Sequence, residues 1–183
     1  SVGWGGMLGW LIIVLSCFAA LHYSYFYLRL FSAQWPQAEI ERPNLLIGMA
    51  SLVAAFIGGW VVQPAVSAVE TRSRSRAVVY LGLSLGAAAS YLGLMICQWM
   101  LLDFTHQTNA YGSLFFLLTG ATALLVALGG ALNLSALVRL RRIAEEHMKE
   151  LTLQLQVTKM YWGGLVVIAF LTFVTVYLSP YIL

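Results

Sequence analysis

Apolar residues run through this chain in five long uninterrupted stretches, and every charged residue lies between the stretches or at their ends. Each stretch exceeds the roughly 20 residues that a helix rising about 1.5 Å per residue needs to cross about 30 Å of hydrocarbon. Because the apolar residues are continuous rather than alternating, helices are favoured over membrane-spanning strands. The pattern predicts an all-α protein with five transmembrane helices, at residues 4–28, 44–69, 77–102, 110–138 and 160–181.

Composition agrees with lipid as the main solvent. Of 183 residues, 61% are hydrophobic and only 9% are charged, which leaves too few polar side chains to cover a soluble globule. No repeat or linker divides the chain, so we predict one five-helix domain over residues 1–183. The net charge of +3 indicates interaction with anionic lipid headgroups rather than with nucleic acid.

Lysine and arginine residues are distributed unevenly between the two sides of the predicted spans. Eight of the ten lie on one side, and the side rich in these residues faces the cytoplasm in most membrane proteins. We therefore predict a cytoplasmic N-terminus and an outer C-terminus, in a multi-pass protein of the cell inner membrane. The inner group comprises Arg72, Arg74, Arg76, Arg139, Arg141, Arg142, Lys149 and Lys159, and the outer group comprises Arg29 and Arg42.

The connection between the last two spans, residues 139–159, has the periodicity of an amphipathic helix. Its apolar residues recur at steps of three and four, and most of its charged residues lie elsewhere around the helix. We expect this segment to continue span four out of the membrane, either docked on a partner or lipid headgroups or simply solvated. Arg139, Arg141 and Arg142, together with Gln98 and Trp99 near the outer end of span three, are candidate contacts for lipid or a partner.

Small residues on span three suggest where helices approach each other. Gly82, Gly86 and Ser90 recur every four residues, which places them on one helix face. Lipid gives helices no hydrophobic reason to associate, so close packing over small side chains has to hold them together. We therefore predict that this face packs in a core formed by spans three, four and five.

The candidate chemistry is sparse. The three histidines, His22, His106 and His147, lie at different depths, and His22 fits an interhelical hydrogen bond better than a haem or metal ligand. The spans carry no charged side chain, and no inverted repeat is present, which disfavours proton pumping and ion-coupled transport. We expect no catalytic, metal-binding or cofactor-binding residue in this chain. An uncharged bundle is typical of an accessory subunit, although scaffold proteins and assembly factors share the property.

One run of residues at the start of span four is distinctive, and it is followed by Tyr161 and Trp162 at the start of span five. The run resembles the Tyr-Gly-Ser segment of subunit III of the haem-copper respiratory oxidases, and the later Tyr-Trp pair follows in the order that this family has. The resemblance implies that the five spans correspond to the last five of the seven helices in larger members. The residues of the run are Tyr111, Gly112, Ser113, Phe115, Phe116, Thr119 and Gly120.

The chain departs from the family pattern at its polar positions. Residues 121–126 stand where the family has two histidines, and Gln98 stands where it commonly has a glutamate. The first span also lacks the family's membrane carboxylate. A proton-buffering role is therefore not carried over, whereas structural and lipid-binding roles remain.

The resemblance implies a non-catalytic accessory subunit of a proton-translocating terminal oxidase in aerobic respiratory electron transport. Its partners would be the catalytic subunit I, which holds haem and copper, and subunit II. Its expected contributions are to stabilise subunit I and to bind phospholipid. The alternatives are a subunit III-like accessory protein of a nitric oxide reductase, and a stand-alone membrane transporter or assembly factor.

Overall fold

The computed structural model describes residues 2–36, 40–142 and 148–182. Five helices in it are long and apolar enough to cross a membrane, and the described residues contain no strand, which confirms the predicted fold class. The last long helix continues through a π-helix, Phe173–Leu178, into a short helix α6, Ser179–Ile182. The long helices are α1 Val2–Leu30, α2 Leu45–Glu70, α3 Arg74–Leu101, α4 Ala110–Arg142 and α5 Met148–Thr172.

Helices α2 to α5 form an antiparallel four-helix bundle. Contacts join α2 to α3, α3 to α4, α4 to α5 and α5 back to α2, so that α3 and α5 face each other diagonally. The pairing of α2 with α3 illustrates the direction: Gln98 lies against Asn44, and Ser84 lies against Gly58. We call the end with the α2–α3 turn the arginine end and the end with Tyr111 the tyrosine end.

Helix α1 lies outside the ring of four, against α5 and α4. Leu11 contacts Gly164, and the Tyr25 hydroxyl lies 3.0 Å from the Ser179 hydroxyl, so α1 and α5 run in parallel. Most of the apolar surface of α1 is exposed in the isolated chain. The orientation of the bundle in the membrane, with the arginine end in the cytoplasm, stays a prediction.

The buried apolar side chains of the described residues form two separate hydrophobic clusters. The larger one fills the bundle from its middle to the tyrosine end and includes Tyr111, Phe115 and Trp162. The smaller one lies at the arginine end, where α2, α3, α4 and α5 all contribute buried side chains. Its members are Ala65, Val66, Ala68, Val69, Ala77, Leu81, Ala136, Leu140, Met148, Leu151 and Leu155.

This second cluster corrects the prediction for residues 139–159. Helix α4 extends to Arg142, and α5 begins at Met148, 12 residues before the predicted start of span five; residues 143–147 lie outside the described part of the chain. Leu140, Met148 and Leu151 are buried inside the bundle itself. The amphipathic pattern therefore results from packing within this chain, because the apolar side chains of this segment are buried between the helices at the arginine end of the bundle.

The predicted packing face of α3 is wrong. Gly82, Gly86 and Ser90 all face outward, and a Cβ atom added at either glycine would meet nothing within 4 Å. The side of α3 that packs on its neighbours carries Leu81, Ser84 and others at the same helical spacing. Those neighbours are α2 and α4. The prediction had instead placed this helix in a core with spans four and five.

Glycines on other helices permit the close approaches that hold the bundle together. The fully buried indole of Trp162 on α5 lies between Gly58 of α2 and Gly129 of α4. A Cβ atom at Gly58 would stand 2.8 Å from the indole ring, and one at Gly129 would stand 3.1 Å from it. Both helices can therefore contact the ring directly only because these two positions lack a side chain.

We expect Gly58→Ala and Gly86→Ala to have opposite effects. The first forces a methyl group against the Trp162 ring, and overpacking of this kind costs about 1–3 kcal/mol. The second fills open space and gains up to about 1 kcal/mol of helix propensity. Thermal unfolding of the two variants in mild detergent measures the difference, and equal melting temperatures would contradict the packing described for Trp162.

Candidate functional site

Tyr111 connects the start of α4 to the end of α5. Its side chain is fully buried, and its hydroxyl donates a hydrogen bond of 2.9 Å to the carbonyl oxygen of Val176 in the π-helix. The local structure around it begins at Asn109, whose side-chain oxygen accepts from the backbone N–H of Gly112 at 2.8 Å. Tyr111 is thus held at the first turn of α4 and reaches across the bundle to α5.

Four aromatic rings surround Tyr111, namely those of Tyr25, Trp35, Phe104 and Phe115. We call these five residues, Tyr111 included, the tyrosine cluster. The centroids of the four surrounding rings lie 5.6–6.1 Å from that of Tyr111, in tilted or edge-on arrangements. Such aromatic pairs contribute about 0.5–1.5 kcal/mol beyond their buried area. Because the rings come from α1, both connections at this end and α4, the cluster joins distant parts of the chain.

The next two residues of the run hold the connection between α3 and α4. A Cβ atom at Gly112 would lie 2.5 Å from the carbonyl oxygen of Thr105, so only glycine lets the connection pass this close. The exposed Ser113 hydroxyl donates to the carbonyl oxygen of His106 at 2.6 Å. Gly112 and Ser113 therefore shape a loop rather than a contact between spans.

Thr119 links α4 to α3. Its hydroxyl donates to the carbonyl oxygen of Phe115 at 2.7 Å and accepts from the indole N–H of Trp99 at 3.2 Å. Trp99, a candidate contact for lipid or a partner, thus uses its N–H inside the chain, and Phe116 packs beside its ring. Gly120 has open space where a Cβ would point, so it makes no close approach.

Backbone carbonyl oxygens of the π-helix accept hydrogen bonds from side chains at the tyrosine end. A π-helix interrupts the regular hydrogen-bond pattern of an α-helix and often lies at a functional site. Here the Tyr111 hydroxyl donates to Val176, and the Ser179 hydroxyl donates to the carbonyl oxygen of Thr175 at 2.6 Å. Tyr177 of the same segment packs edge-on against Phe115.

Tyr161 and Trp162 form a second group, in the middle of the bundle. The Tyr161 hydroxyl donates to the carbonyl oxygen of Leu125 on α4, and its ring stacks on Trp10 of α1 at 5.0 Å between centroids. The next residue, Trp162, lies between α2 and α4. The pair therefore connects α5 to each of the three helices packed against it.

A hydrogen-bonded chain next to Trp162 joins three helices. The amide of Asn133 on α4 donates to the Ser84 hydroxyl on α3 at 2.6 Å, and that hydroxyl donates to the carbonyl oxygen of Gly58 on α2 at 2.8 Å. All three positions are buried. Neither Ser84 nor Asn133 was singled out from the sequence. The signal available in the sequence was the presence of polar side chains within apolar spans.

Gln98 is buried, which corrects its assignment as a contact for lipid or a partner. Only 1% of the residue is exposed. In the amide orientation that satisfies both of its polar atoms, its nitrogen donates to the backbone carbonyl oxygen of Asn44 at 3.2 Å and its oxygen accepts from the Asn44 N–H at 3.3 Å. Asn44 in turn caps α2 by accepting from the N–H groups of Leu46 and Ile47. A carboxamide can make both contacts, whereas a carboxylate can only accept.

The arginine end carries exposed charged side chains, unlike the buried neutral groups described above. The Arg139 guanidinium donates to the Gln154 side chain at 2.7 Å and lies 3.4 Å from the Glu150 carboxylate, and both charged partners are about half exposed. A pair this exposed contributes about 0–1 kcal/mol. Arg141 and Arg142 are exposed, so their contact with lipid or a partner stays a prediction.

No group of three or more His, Cys, Asp or Glu side chains suited to a metal ion occurs among the described residues. The Nδ1 atom of His22 lies 2.6 Å from the carbonyl oxygen of Phe18 one turn earlier. Because a carbonyl only accepts, Nδ1 carries the proton in this contact. The expectation that the chain binds no metal or cofactor stays a prediction.

We expect Tyr111→Phe to destabilise the fold by removing the hydrogen bond to Val176 while keeping the ring. Interhelical hydrogen bonds in membrane proteins contribute about 0.6 kcal/mol on average and at most about 1.7. The control is Tyr23→Phe, which removes the same hydroxyl from an exposed ring. Chemical denaturation in detergent micelles should separate the two variants, and an unchanged midpoint for Tyr111→Phe would contradict the assigned role.

Gln98→Glu should weaken the junction between α2 and α3 at neutral pH. An ionised carboxylate would face the Asn44 carbonyl oxygen as a second acceptor in a buried position, which costs about 1–3 kcal/mol or more. The control is Gln107→Glu on the exposed α3–α4 connection. Melting temperatures measured side by side test this, and equal stability of the two variants would show that Gln98 does not bond Asn44.

Two known proteins with the same name are similar to this chain at low identity. No family model matches the chain. The protein named cytochrome c oxidase subunit 3 from Allomyces macrogynus is 26% identical over 187 residues, which cover 97% of this chain and 67% of that protein. The protein of the same name from Synechocystis sp. is 22% identical over 173 residues, covering 94% of this chain and 74% of that protein. Over nearly its whole length, the chain is therefore similar to subunit 3 of cytochrome c oxidase.

Proposed function

We propose that this chain is a non-catalytic accessory subunit of a haem-copper terminal oxidase in aerobic respiratory electron transport. The observation that carries the proposal is the similarity, along nearly the entire chain, to two proteins named cytochrome c oxidase subunit 3. The Tyr-Gly-Ser run and the Tyr-Trp pair support it, because several residues through which the chain resembles that family, among them Tyr111, Thr119 and Tyr161, join its helices. In this proposal haem and copper belong to the catalytic subunit I, and subunit II is a further partner.

The chemistry of the described interior supports a structural contribution. Its buried polar side chains are neutral hydroxyls and amides, and most of them hydrogen-bond to backbone carbonyls or to each other. Tyr111, Thr119 and Tyr161 each join two helices in this way. A rigid bundle of this kind would stabilise subunit I by covering part of its lipid-facing surface and by holding phospholipid at its own surface.

The exposed apolar surface of the bundle is large enough to contact subunit I. Helix α1 and the outer face of α3 expose long rows of apolar and small side chains, including Ile12, Ile13, Leu83 and Ile96. In the proposed complex these surfaces lie against lipid or partner helices in the cell inner membrane. The cytoplasmic position of the arginine end is part of the same proposal and follows from its excess of basic residues.

Purification of the tagged chain from its native membranes in mild detergent tests the proposal. We expect haem absorbance and a larger membrane protein to co-purify, and the preparation to consume oxygen. A clean haem-free preparation without a larger partner would contradict the proposal. Consumption of nitric oxide instead of oxygen would assign the chain to a nitric oxide reductase, and transport by the chain reconstituted alone would assign it to a transporter.

A further inference from the structure

A groove of about 520 Å³ runs between α2 and α5, on the membrane-facing side of the bundle. Gly59 and Gly163 line it together with Trp60, which is 80% exposed. Phe56 lines the groove at one end, and Gln63 and Lys159 line it at the other. The groove therefore has an apolar end and a polar, positively charged end.

The polar end lies where the hydrocarbon of a membrane should stop. Lys159 is the last charged residue before the uncharged run of residues 160–183, and α2 is uncharged from Leu45 to Val69. At about 1.5 Å per residue, roughly 20 residues after Lys159 suffice to cross about 30 Å of hydrocarbon. Lys159 therefore lies at the level of the headgroups. Gln63 lines the groove together with Lys159, and Phe56 is about two helical turns further along α2 from Gln63.

Lys159 lacks a charge partner in its own chain, as far as residues 2–36, 40–142 and 148–182 show. It is exposed, and it is the one charged side chain among the described residues that line the groove. A lysine at this depth extends its ammonium group towards the lipid phosphates while its methylene groups lie along apolar surface. A tryptophan beside it is typical of the same interface.

We infer that this groove binds one anionic phospholipid from the leaflet at the arginine end. Its phosphate contacts Lys159 and Gln63, and one acyl chain lies over Gly59 and Gly163 towards Phe56. Along the groove, the charged and polar side chains come first and the apolar surface follows. A phospholipid has the same order, because its charged headgroup is followed by its acyl chains. The inference rests on the lipid-binding part of the proposed function and assigns it a location, a leaflet and a headgroup charge.

Removal of the charge tests the headgroup contact. The full chain, with any complex that co-purifies, is titrated with phosphatidylglycerol or phosphatidylcholine and followed by native mass spectrometry. In Lys159→Gln we expect the apparent affinity for phosphatidylglycerol to fall about fivefold, which corresponds to about 1 kcal/mol for one basic residue near anionic lipid. Lys149→Gln removes the same charge from the same helix outside the groove and should change little.

Filling of the groove tests the acyl-chain contact. A Cβ atom at Gly163 meets nothing within 4 Å, so Gly163→Leu should occupy the groove without disturbing the fold. Gly93→Leu is the matched control, because Gly93 is equally open but lies on α3 away from the groove. We expect only Gly163→Leu to lose the bound phosphatidylglycerol, with unchanged melting temperatures for both variants.

Three results would overturn the inference. Equal losses in Lys159→Gln and Lys149→Gln would show general attraction of anionic lipid rather than a site. Retention of the lipid by Gly163→Leu would place the acyl chain elsewhere. A zero-length cross-link in native membranes between Lys159 and a carboxylate of another protein would show that a partner occupies the groove.

The two proposals fail separately in these experiments. Lipid retention is measured on the mass of the chain and does not depend on haem. A haem-free preparation that still binds phosphatidylglycerol through Lys159 would contradict the proposed function and leave the groove intact. A haem-containing preparation whose lipid binding is insensitive to Lys159 and Gly163 would overturn the groove alone.

Discussion

The indole ring of Trp162 determines how closely three helices approach each other. In lipid, association of helices depends on packing and hydrogen bonds, because burial of apolar surface gains nothing over contact with acyl chains. Direct contact of Gly58 and Gly129 with the two sides of this ring provides that packing, and the hydrogen bonds from Asn133 through Ser84 to Gly58 lie beside it. The tyrosine cluster and the arginine end lie at the two ends of the bundle that this central contact holds together.

The number and type of helices could be predicted from the sequence because a span of continuous apolar residues has few other structures open to it. The packing faces could not be predicted in the same way. On α3 both faces are apolar, so hydrophobicity does not distinguish the side with Leu81 and Ser84 from the side with Gly82 and Gly86. The start of α5 at Met148 was missed because its first turns carry charges, although their apolar positions pack inside the bundle.

The candidate site was located by sequence but its contacts were not. Tyr111 was singled out through a family resemblance, yet its hydrogen-bond partner lies 65 residues away on a π-helix that no local pattern indicates. Gln98 was assigned to the surface because its position near a span end suggested access to lipid, whereas its partner is the backbone of Asn44 on another helix. Such contacts depend on how neighbouring helices are aligned along their axes, and a hydropathy pattern does not predict this alignment.

The π-helix has a consequence for the chain beyond it. A π-helix accommodates an extra residue within a helix, and one residue corresponds to about 100° of rotation in an α-helix. Every side chain after Leu178 is therefore turned by about that angle relative to a continuous α-helix. This rotation brings Ser179 round to the Tyr25 hydroxyl. A deletion of one residue between Phe173 and Leu178 would leave the span long enough for the membrane, but it would point the side chains of α6 in a different direction.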